Sequence, residues 1–238
     1  KVKRLGKFKV YWKGKWGDGL FEKCAAVVGS RRMTQYGQRV VERLVPVLVH
    51  EGWTIVSGFM YGVDQAAHRT CLDCGGKTIA VVGWGINWQG LSEEDLKLES
   101  RIMNNGGLII SEWEEQEPTL WTFPARNKIV AGLSERIYVV EAASRSGALI
   151  TAKMGMQLGK EIWAVPGPVT SAVSAGTNQL IRAGLAKMWL PSFAEATEGQ
   201  AGHTNNSGLY TLLQNEALTV DDLVRATGKS VEEVGSEL

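Results

Sequence analysis

Short β-branched runs alternate with longer helical patterns between Cys24 and Leu190, and this alternation constrains the fold more than any other feature of the chain. Some of the short runs are apolar throughout, as in Ile79–Val82, which indicates strands buried on both faces. The predicted strands are Ala25–Val28, Thr54–Ser57, Thr78–Val82, Leu108–Ser111, Ile137–Glu141, Glu161–Val165 and Lys187–Leu190. The predicted helices are Gly37–Glu51, Val63–Cys74, Ser92–Asn104, Ala125–Leu133, Gly147–Leu158 and Asn178–Ala183. Repeated βα units of this kind predict an α/β fold with an open, doubly wound, mostly parallel sheet.

The segments on either side of this region differ from it in charge and composition. Residues 1–32 hold ten Lys or Arg and two Asp or Glu. We interpret residues 1–23 as a basic lead-in that is either solvated and partly disordered or attracted to a polyanion. Residues 191–208 are small and polar, which is typical of a linker. The pattern of residues 209–238 predicts two short helices. Two such helices are too small to form a hydrophobic core of their own, so we interpret the segment as a truncated helical module. The sheet domain is accordingly predicted over residues 24–190.

Composition narrows the classes of function. Hydrophobic residues make up 44% and charged residues 21% of the 238 residues, which excludes a disordered chain. The apolar runs are far shorter than the ~20 residues that cross a bilayer, so no membrane is expected as a partner. Three cysteines cannot all pair and the basic start does not resemble a secretory signal, so we expect a cytoplasmic protein. Cys71 and Cys74 have metal-ligand spacing but no second pair, and the three histidines form no triad. Neither a metal, a cofactor nor a catalytic residue is therefore predicted.

Glycine-bearing turns follow the first two predicted strands. Gly29, Ser30 and Arg31 offer close backbone approach, a hydroxyl and a forked cation, which suit a phosphate at the carboxyl edge of a sheet. Ser57 and Gly58 follow the second strand at the same edge. The dinucleotide pattern of three spaced glycines is missing at the first turn, which disfavours a nicotinamide enzyme. An ordinary strand-to-helix turn with an exposed arginine is the alternative interpretation.

Three further segments combine groups that bind nucleic acid. Phe123, Arg126, Asn127 and Lys128 lie within six residues, and unpaired nucleic acid requires rings for stacking and cations for its backbone. A helix start near Pro124 explains the same residues. Two later helices open with small polar residues, which suit either capping or contact with phosphate. These residues are Ser146, Gly147 and Thr151 in one helix and Thr177 and Asn178 in the other.

Taken in chain order, these motifs resemble the DprA/Smf family of DNA-processing proteins. The resemblance runs from about Cys24 to Leu190 and rests on Val28-Gly29-Ser30-Arg31, Tyr36-Gly37, Ser57-Gly58, Gly62-Val63-Asp64 with Ala67-His68, Gly75 to Val81, Phe123 to Ser134, Val140-Glu141-Ala142, Ser146 to Ala152, Pro166-Gly167 and Gly176 to Ile181. It implies an extended Rossmann-like domain that binds single-stranded DNA, forms a homodimer and helps load the RecA recombinase during natural transformation. The C-terminal residues are similar to the start of a winged-helix domain.

Two positions depart from the family pattern. Met60 and Tyr61 stand where the family has an Ala-Arg pair, which removes one cation, although Tyr61 offers a ring for stacking. The segment from Trp88 to Leu91 stands where the family has Tyr-Pro, so the wall of the groove is expected to differ there.

We therefore predict a non-catalytic binder of single-stranded DNA that protects incoming DNA. Its predicted contact residues are Gly29, Ser30, Arg31, Ser57, Gly58, Phe123, Arg126, Asn127, Lys128, Ser146, Gly147, Thr151, Thr177 and Asn178. Arg31, Arg126 and Lys128 are expected to neutralise phosphates, and Arg31 and Lys128 should face one shared cleft. The alternative from another class is a nucleotide phosphoribohydrolase, for which Glu141 at a strand end is the only candidate carboxylate. A third possibility is an interaction scaffold whose groove binds no DNA.

Overall fold

The computed structural model describes residues 1–191, in which the apolar runs of the sequence form the central strands. In chain order the strands of these residues are β1 (Val2–Leu5), β2 (Phe8–Gly14), β3 (Cys24–Val28), β4 (Thr54–Ser57), β5 (Thr78–Val81), β6 (Leu108–Ser111), β7 (Arg136–Val139), β8 (Glu161–Ala164) and β9 (Lys187–Met188). The α-helices are α1 (Gln35–His50), α2 (Val63–Asp73), α3 (Glu93–Asn104), α4 (Thr122–Leu133), α5 (Gly147–Gln157) and α6 (Ala175–Arg182). Every residue of β3, β4, β5 and β6 is buried, because helices cover both faces of the sheet.

Within residues 1–191 the strands form one sheet in the order β1-β2-β6-β5-β4-β3-β7-β8-β9. The strands from β3 to β9 pair in parallel, which confirms the predicted fold class. Alternate residues of the strands pack into different hydrophobic clusters, one with α4 and α5 and the others with α1, α2 and α3. The winding of the sheet thus reverses between β3 and β7. In doubly wound sheets such a reversal leaves a ligand crevice at the carboxyl ends of the two strands.

The basic start of the chain joins the sheet, which differs from the lead-in predicted over residues 1–23. β1 and β2 form an antiparallel hairpin through a turn at Gly6, where φ is +57°, and β2 pairs antiparallel with β6. Val10 is fully buried, and Leu5 and Phe8 pack against the same core. The physical reason is that the apolar residues between the lysines cover sheet surface that would otherwise face water.

Element boundaries differ from the predicted ones by up to three residues. α4 begins at Thr122 rather than Ala125, since Pro124 fits the first turn of a helix. α6 begins at Ala175 rather than Asn178. The predicted linker beyond Pro191 and the truncated module over residues 209–238 lie outside the described residues. Among the described helices, none is long and apolar enough to span a membrane.

Candidate nucleic-acid interface

A cleft of about 570 Å³ opens at the carboxyl ends of β3 and β7, where the winding of the sheet reverses. Val28 lines the cleft at the end of β3, and Ala143 lines it shortly after β7. Phe123 in the first turn of α4 and Gly147 in the first turn of α5 complete the wall. Four segments of the chain therefore present backbone and side-chain groups to one space.

A buried carboxylate holds the segment between β3 and α1 in place. Glu141 is only 1% exposed and accepts hydrogen bonds from the Thr34 amide at 2.9 Å and the Thr34 hydroxyl at 2.5 Å. Gly62 lies against the same segment: its φ is +78°, and a Cβ there would lie 2.3 Å from the Ser30 carbonyl oxygen. These contacts fix the backbone that carries Arg31 into the cleft.

Three exposed arginines surround the cleft. Arg31, Arg32 and Arg145 line it, and none of them forms an ion pair with a carboxylate of residues 1–191. The N-terminus of α5 also faces the cleft. Its Ala148 amide donates to the Ser146 hydroxyl at 3.3 Å and its Leu149 amide donates to the Ser146 carbonyl oxygen at 3.1 Å, which leaves the Gly147 amide without an acceptor among residues 1–191. Cations beside a helix N-terminus favour a ligand with phosphate groups.

An apolar wall stands beside these cations. The Arg31 guanidinium lies 4.9 Å from the centre of the Phe123 ring, and the Phe123 ring packs edge-on against Trp84 at 6.5 Å. Leu120 is 93% exposed at the rim, and Met60 also lines the cleft. A ring beside a guanidinium suits a nucleobase whose own phosphate contacts the arginine.

A buried ion pair supports the cleft from beneath. The Arg126 Nη2 and Asp64 Oδ2 atoms are 3.9 Å apart, and both side chains are almost inaccessible to solvent. Burial raises the pKa of Asp64 and lowers the pKa of Arg126, and the charge of each partner opposes the shift of the other. Gly58 leaves room for the pair, because a Cβ there would lie 2.1 Å from both Arg126 Nη1 and Asp64 Oδ2. Ser57 is fully buried and donates to the Val27 carbonyl oxygen at 2.6 Å.

The structure brings most of the predicted contact residues together at this cleft. Those that line it are Gly29, Ser30, Arg31, Phe123, Arg126, Asn127, Ser146, Gly147 and Thr151. Those that lie elsewhere are Ser57, Gly58, Lys128, Thr177 and Asn178. Arg126 lines the cleft, but its charge is already paired with Asp64, which differs from the predicted role in neutralising phosphate.

Lys128 points away from the cleft. Its ammonium group forms an ion pair with Glu112 at 2.6 Å, and it does not line the space that Arg31 enters. The expected shared cleft of Arg31 and Lys128 is therefore not present. The reason is helical geometry, because successive residues of α4 are rotated by about 100° and Lys128 follows the cleft residue Asn127.

The predicted contacts on α6 have structural partners. The Thr177 hydroxyl is buried and donates to the Ser174 carbonyl oxygen at 3.0 Å. The Asn178 side chain accepts from the Gly167 amide at 3.1 Å and donates to the Gly167 carbonyl oxygen at 2.9 Å. Local capping and loop anchoring account for both residues.

Sequence reasoning missed two of the three exposed arginines, Arg32 and Arg145. Arg32 directly follows Arg31, and Arg145 directly precedes Ser146. Their positions next to predicted contact residues could have identified them as candidates. Tyr61, considered as a substitute stacking group, is 63% exposed and does not line the cleft.

The buried His68 is expected to make the free energy of unfolding depend on pH. Its Nε2 donates to the Gly58 carbonyl oxygen at 2.6 Å, its Nδ1 lies 2.7 Å from the Thr78 hydroxyl, and burial lowers its pKa from 6.5 to about 4. Between these values the unfolded chain binds more protons, so lowering the pH should decrease the free energy of unfolding by about 3 kcal/mol. Urea unfolding from about pH 7 to about pH 4 measures this decrease. A His68→Gln variant with the same pH dependence as the wild type would contradict the assignment.

Proteins of known family match the chain over most of its length. The model of the family described as DNA recombination-mediator protein A matches residues 7–201. Protein Smf of Escherichia coli strain K12 is 40% identical over 160 residues, which are 67% of this chain and 42% of that protein. DNA processing protein DprA of Streptococcus pneumoniae strain R6 is 39% identical over 176 residues, which are 74% of this chain and 61% of that protein. The chain thus spans about half the length of the curated relatives it matches.

Solved structures of similar proteins share the fold. The X-ray structure of DprA from Streptococcus pneumoniae has a TM-score of 0.69 at 35% identity and covers 83% of this chain and 67% of that one. A structure of DNA processing protein A from Helicobacter pylori has a TM-score of 0.69 at 28% identity and covers 82% of this chain and 88% of that one. The Helicobacter pylori structure is described as giving insight into a unique single-stranded DNA binding mode.

Proposed function

Since the chain belongs to the DNA recombination-mediator protein A family, we propose that it is a DNA-processing protein that binds single-stranded DNA in the cleft between β3 and β7. The observation that carries the proposal is that one cleft combines three exposed arginines, a helix N-terminus and the Phe123 ring. The Helicobacter pylori relative, described as a binder of single-stranded DNA, supports the same class of ligand here.

A single strand is the form of DNA that fits these groups best. Arg31, Arg32 and Arg145 neutralise phosphates, and the Ser30 hydroxyl together with the Gly147 amide donates hydrogen bonds to their oxygens. The Phe123 ring is available only to an unstacked base, because the bases of a duplex stack on one another. Contacts to the backbone carry no sequence information, so binding is expected to tolerate any sequence.

We place this binding within recombination. The family's description as recombination mediators supports a role in recombination. To this we add, from the resemblance to the DprA/Smf family, that the protein helps to load the RecA recombinase and protects incoming DNA during natural transformation. The RecA partner, a homodimeric assembly and a cytoplasmic location are parts of this proposal, and the family resemblance is their support.

Binding without catalysis is also part of the proposal. Glu141, the carboxylate considered for a phosphoribohydrolase, is buried with both oxygens engaged by Thr34. A general base or a nucleophile must reach its substrate. Glu141 instead positions the segment that carries Arg31, and the family match favours DNA processing over nucleotide hydrolysis.

Fluorescence anisotropy of a labelled oligo-dT and of a duplex of equal length tests the proposal. We expect tighter binding of oligo-dT, with a log–log salt slope of about −2 per protomer or steeper, because each of three arginine contacts contributes roughly −0.7 on a single strand. Equal affinity for both DNAs, or an affinity that does not change between two ionic strengths, would contradict the proposal. Release of free base from nucleotides by the same preparation would favour the phosphoribohydrolase.

A further inference from the structure

The hairpin of β1 and β2 carries a second cluster of cations, separate from the cleft. Residues 1–15 contain seven Lys or Arg and no Asp or Glu. Arg4, Lys7 and Lys9 surround the tip of the hairpin, are exposed, and form no ion pair with a carboxylate of residues 1–191. These three residues, the tip cluster, are a positive patch without compensating charge in the described part of the chain.

Two members of the tip cluster face each other directly. Arg4 and Lys9 are cross-strand partners in the register of the hairpin, which places their Cβ atoms about 5 Å apart. Like charges in such a pair destabilise a hairpin, and Lys7 in the turn adds a third charge. The Lys7 and Lys9 ammonium groups lie over the rings of Phe8 and Tyr11, at 5.5 and 5.4 Å from the ring centres, but these contacts leave the positive charges uncompensated. A bound polyanion would offset the repulsion.

The tip cluster lies beside the end of α4 that leads away from the cleft. Phe8, next to Lys7, packs on Gly132, where a Cβ would lie 2.6 Å from the Phe8 ring. Phe123 lines the cleft nine residues earlier in α4, about 14 Å away along the helix axis. Lys128 lies one turn before Gly132 on the same helix face, but its ammonium group is paired with Glu112, so it adds no free positive charge between the cleft and the tip cluster. A strand that leaves the cleft along α4 therefore meets its next unpaired cations at the tip cluster.

We propose that the tip cluster binds the sugar-phosphate backbone of the same DNA strand where it continues past the cleft. This inference rests on the proposed function, because it assigns the cluster to the strand that the cleft holds. Two contact surfaces on one strand raise the affinity for long strands through effective concentration and leave short strands unaffected. A single strand is flexible enough to follow α4 between the two surfaces, whereas duplex DNA has a persistence length of about 150 bp.

The R4Q/K7Q/K9Q variant tests the proposal with labelled oligo-dT of about 5 and about 20 nucleotides. For the longer oligomer we expect about tenfold weaker binding. The log–log salt slope should also become less steep by about 2, because each of the three lost phosphate contacts contributes about 0.7 to the slope. The shorter oligomer fills only the cleft, so its affinity should stay at the wild-type value. The control variant R39Q/R43Q/K97Q removes the same charge from α1 and α3 and should match the wild type with both oligomers.

A second variant separates binding from folding. K9E places an acidic residue opposite Arg4, so its Tm should be no lower than that of the wild type, while its binding of the longer oligomer should weaken. The proposal is overturned if both variants bind the longer oligomer with the affinity and the salt slope of the wild type. In that case, binding of the shorter oligomer would still support the proposed function of the cleft. If the shorter oligomer does not bind even to the wild type, the proposed function fails and this inference fails with it.

Discussion

Asp64→Ala is expected to lower the free energy of unfolding by about 3–5 kcal/mol, because it leaves the Arg126 guanidinium buried without its counter-ion. The two charged groups are 3.9 Å apart and almost inaccessible, so without the carboxylate the guanidinium charge is poorly solvated. For a domain of this size the loss corresponds to a decrease in Tm of roughly 10 °C. Urea unfolding of the wild type and the variant in one buffer measures the difference.

The double variant D64L/R126M is the matched control. It removes both charges and keeps apolar volume at both positions, and such replacements of buried ion pairs are often neutral in stability. We expect it to recover most of the stability that Asp64→Ala loses. If the free energy of unfolding of Asp64→Ala lies within about 1 kcal/mol of the wild-type value, the ion pair does not stabilise the fold beneath the cleft.

Removal of two exposed cleft arginines, in the variant R31A/R145A, is expected to weaken binding of oligo-dT by about 100-fold or more. Hydrogen bonds to charged groups contribute about 1.5–3 kcal/mol each, and 1.4 kcal/mol corresponds to a tenfold change in affinity. Both side chains are exposed and form no ion pair with residues 1–191, and the lost contact of Arg31 with the Phe123 ring is worth about 0.5–1 kcal/mol, so the free energy of unfolding should decrease by about 1 kcal/mol or less. Anisotropy titration measures the loss of affinity, and urea unfolding checks the fold.

The parallel strands are predictable because each central strand is apolar or small along its whole length. Thr78–Val81 and Leu108–Ser111 are buried at every position. A short run of this kind indicates a buried strand even though polar and apolar residues do not alternate along it. The N-terminal hairpin is harder to predict, because Lys3, Lys7 and Lys9 interrupt its apolar residues. Its second strand also pairs with β6, about 100 residues away in the sequence, and no local pattern indicates that pairing.

The parts of the cleft that directly follow strands are predictable as well. Ser30 reaches the cleft because the carboxyl ends of parallel strands lie at one edge of the sheet. On a helix the exact start decides which residues face a cleft, and one residue separates Asn127, which lines it, from Lys128, which does not. The pairing of Arg126 with Asp64 joins segments about 60 residues apart, so the sequence does not distinguish a supporting arginine from a DNA-contacting one.

The salt dependence of binding of an oligo-dT of about 5 nucleotides by R31A/R145A tests most directly whether this cleft holds a single DNA strand. The log–log slope should decrease in magnitude from about −2 in the wild type to about −0.7, because one exposed arginine remains. The control variant R43A/K97A removes two charges outside the cleft and should keep the wild-type slope. A cleft variant that retains both the affinity and the slope of the wild type would contradict the claim.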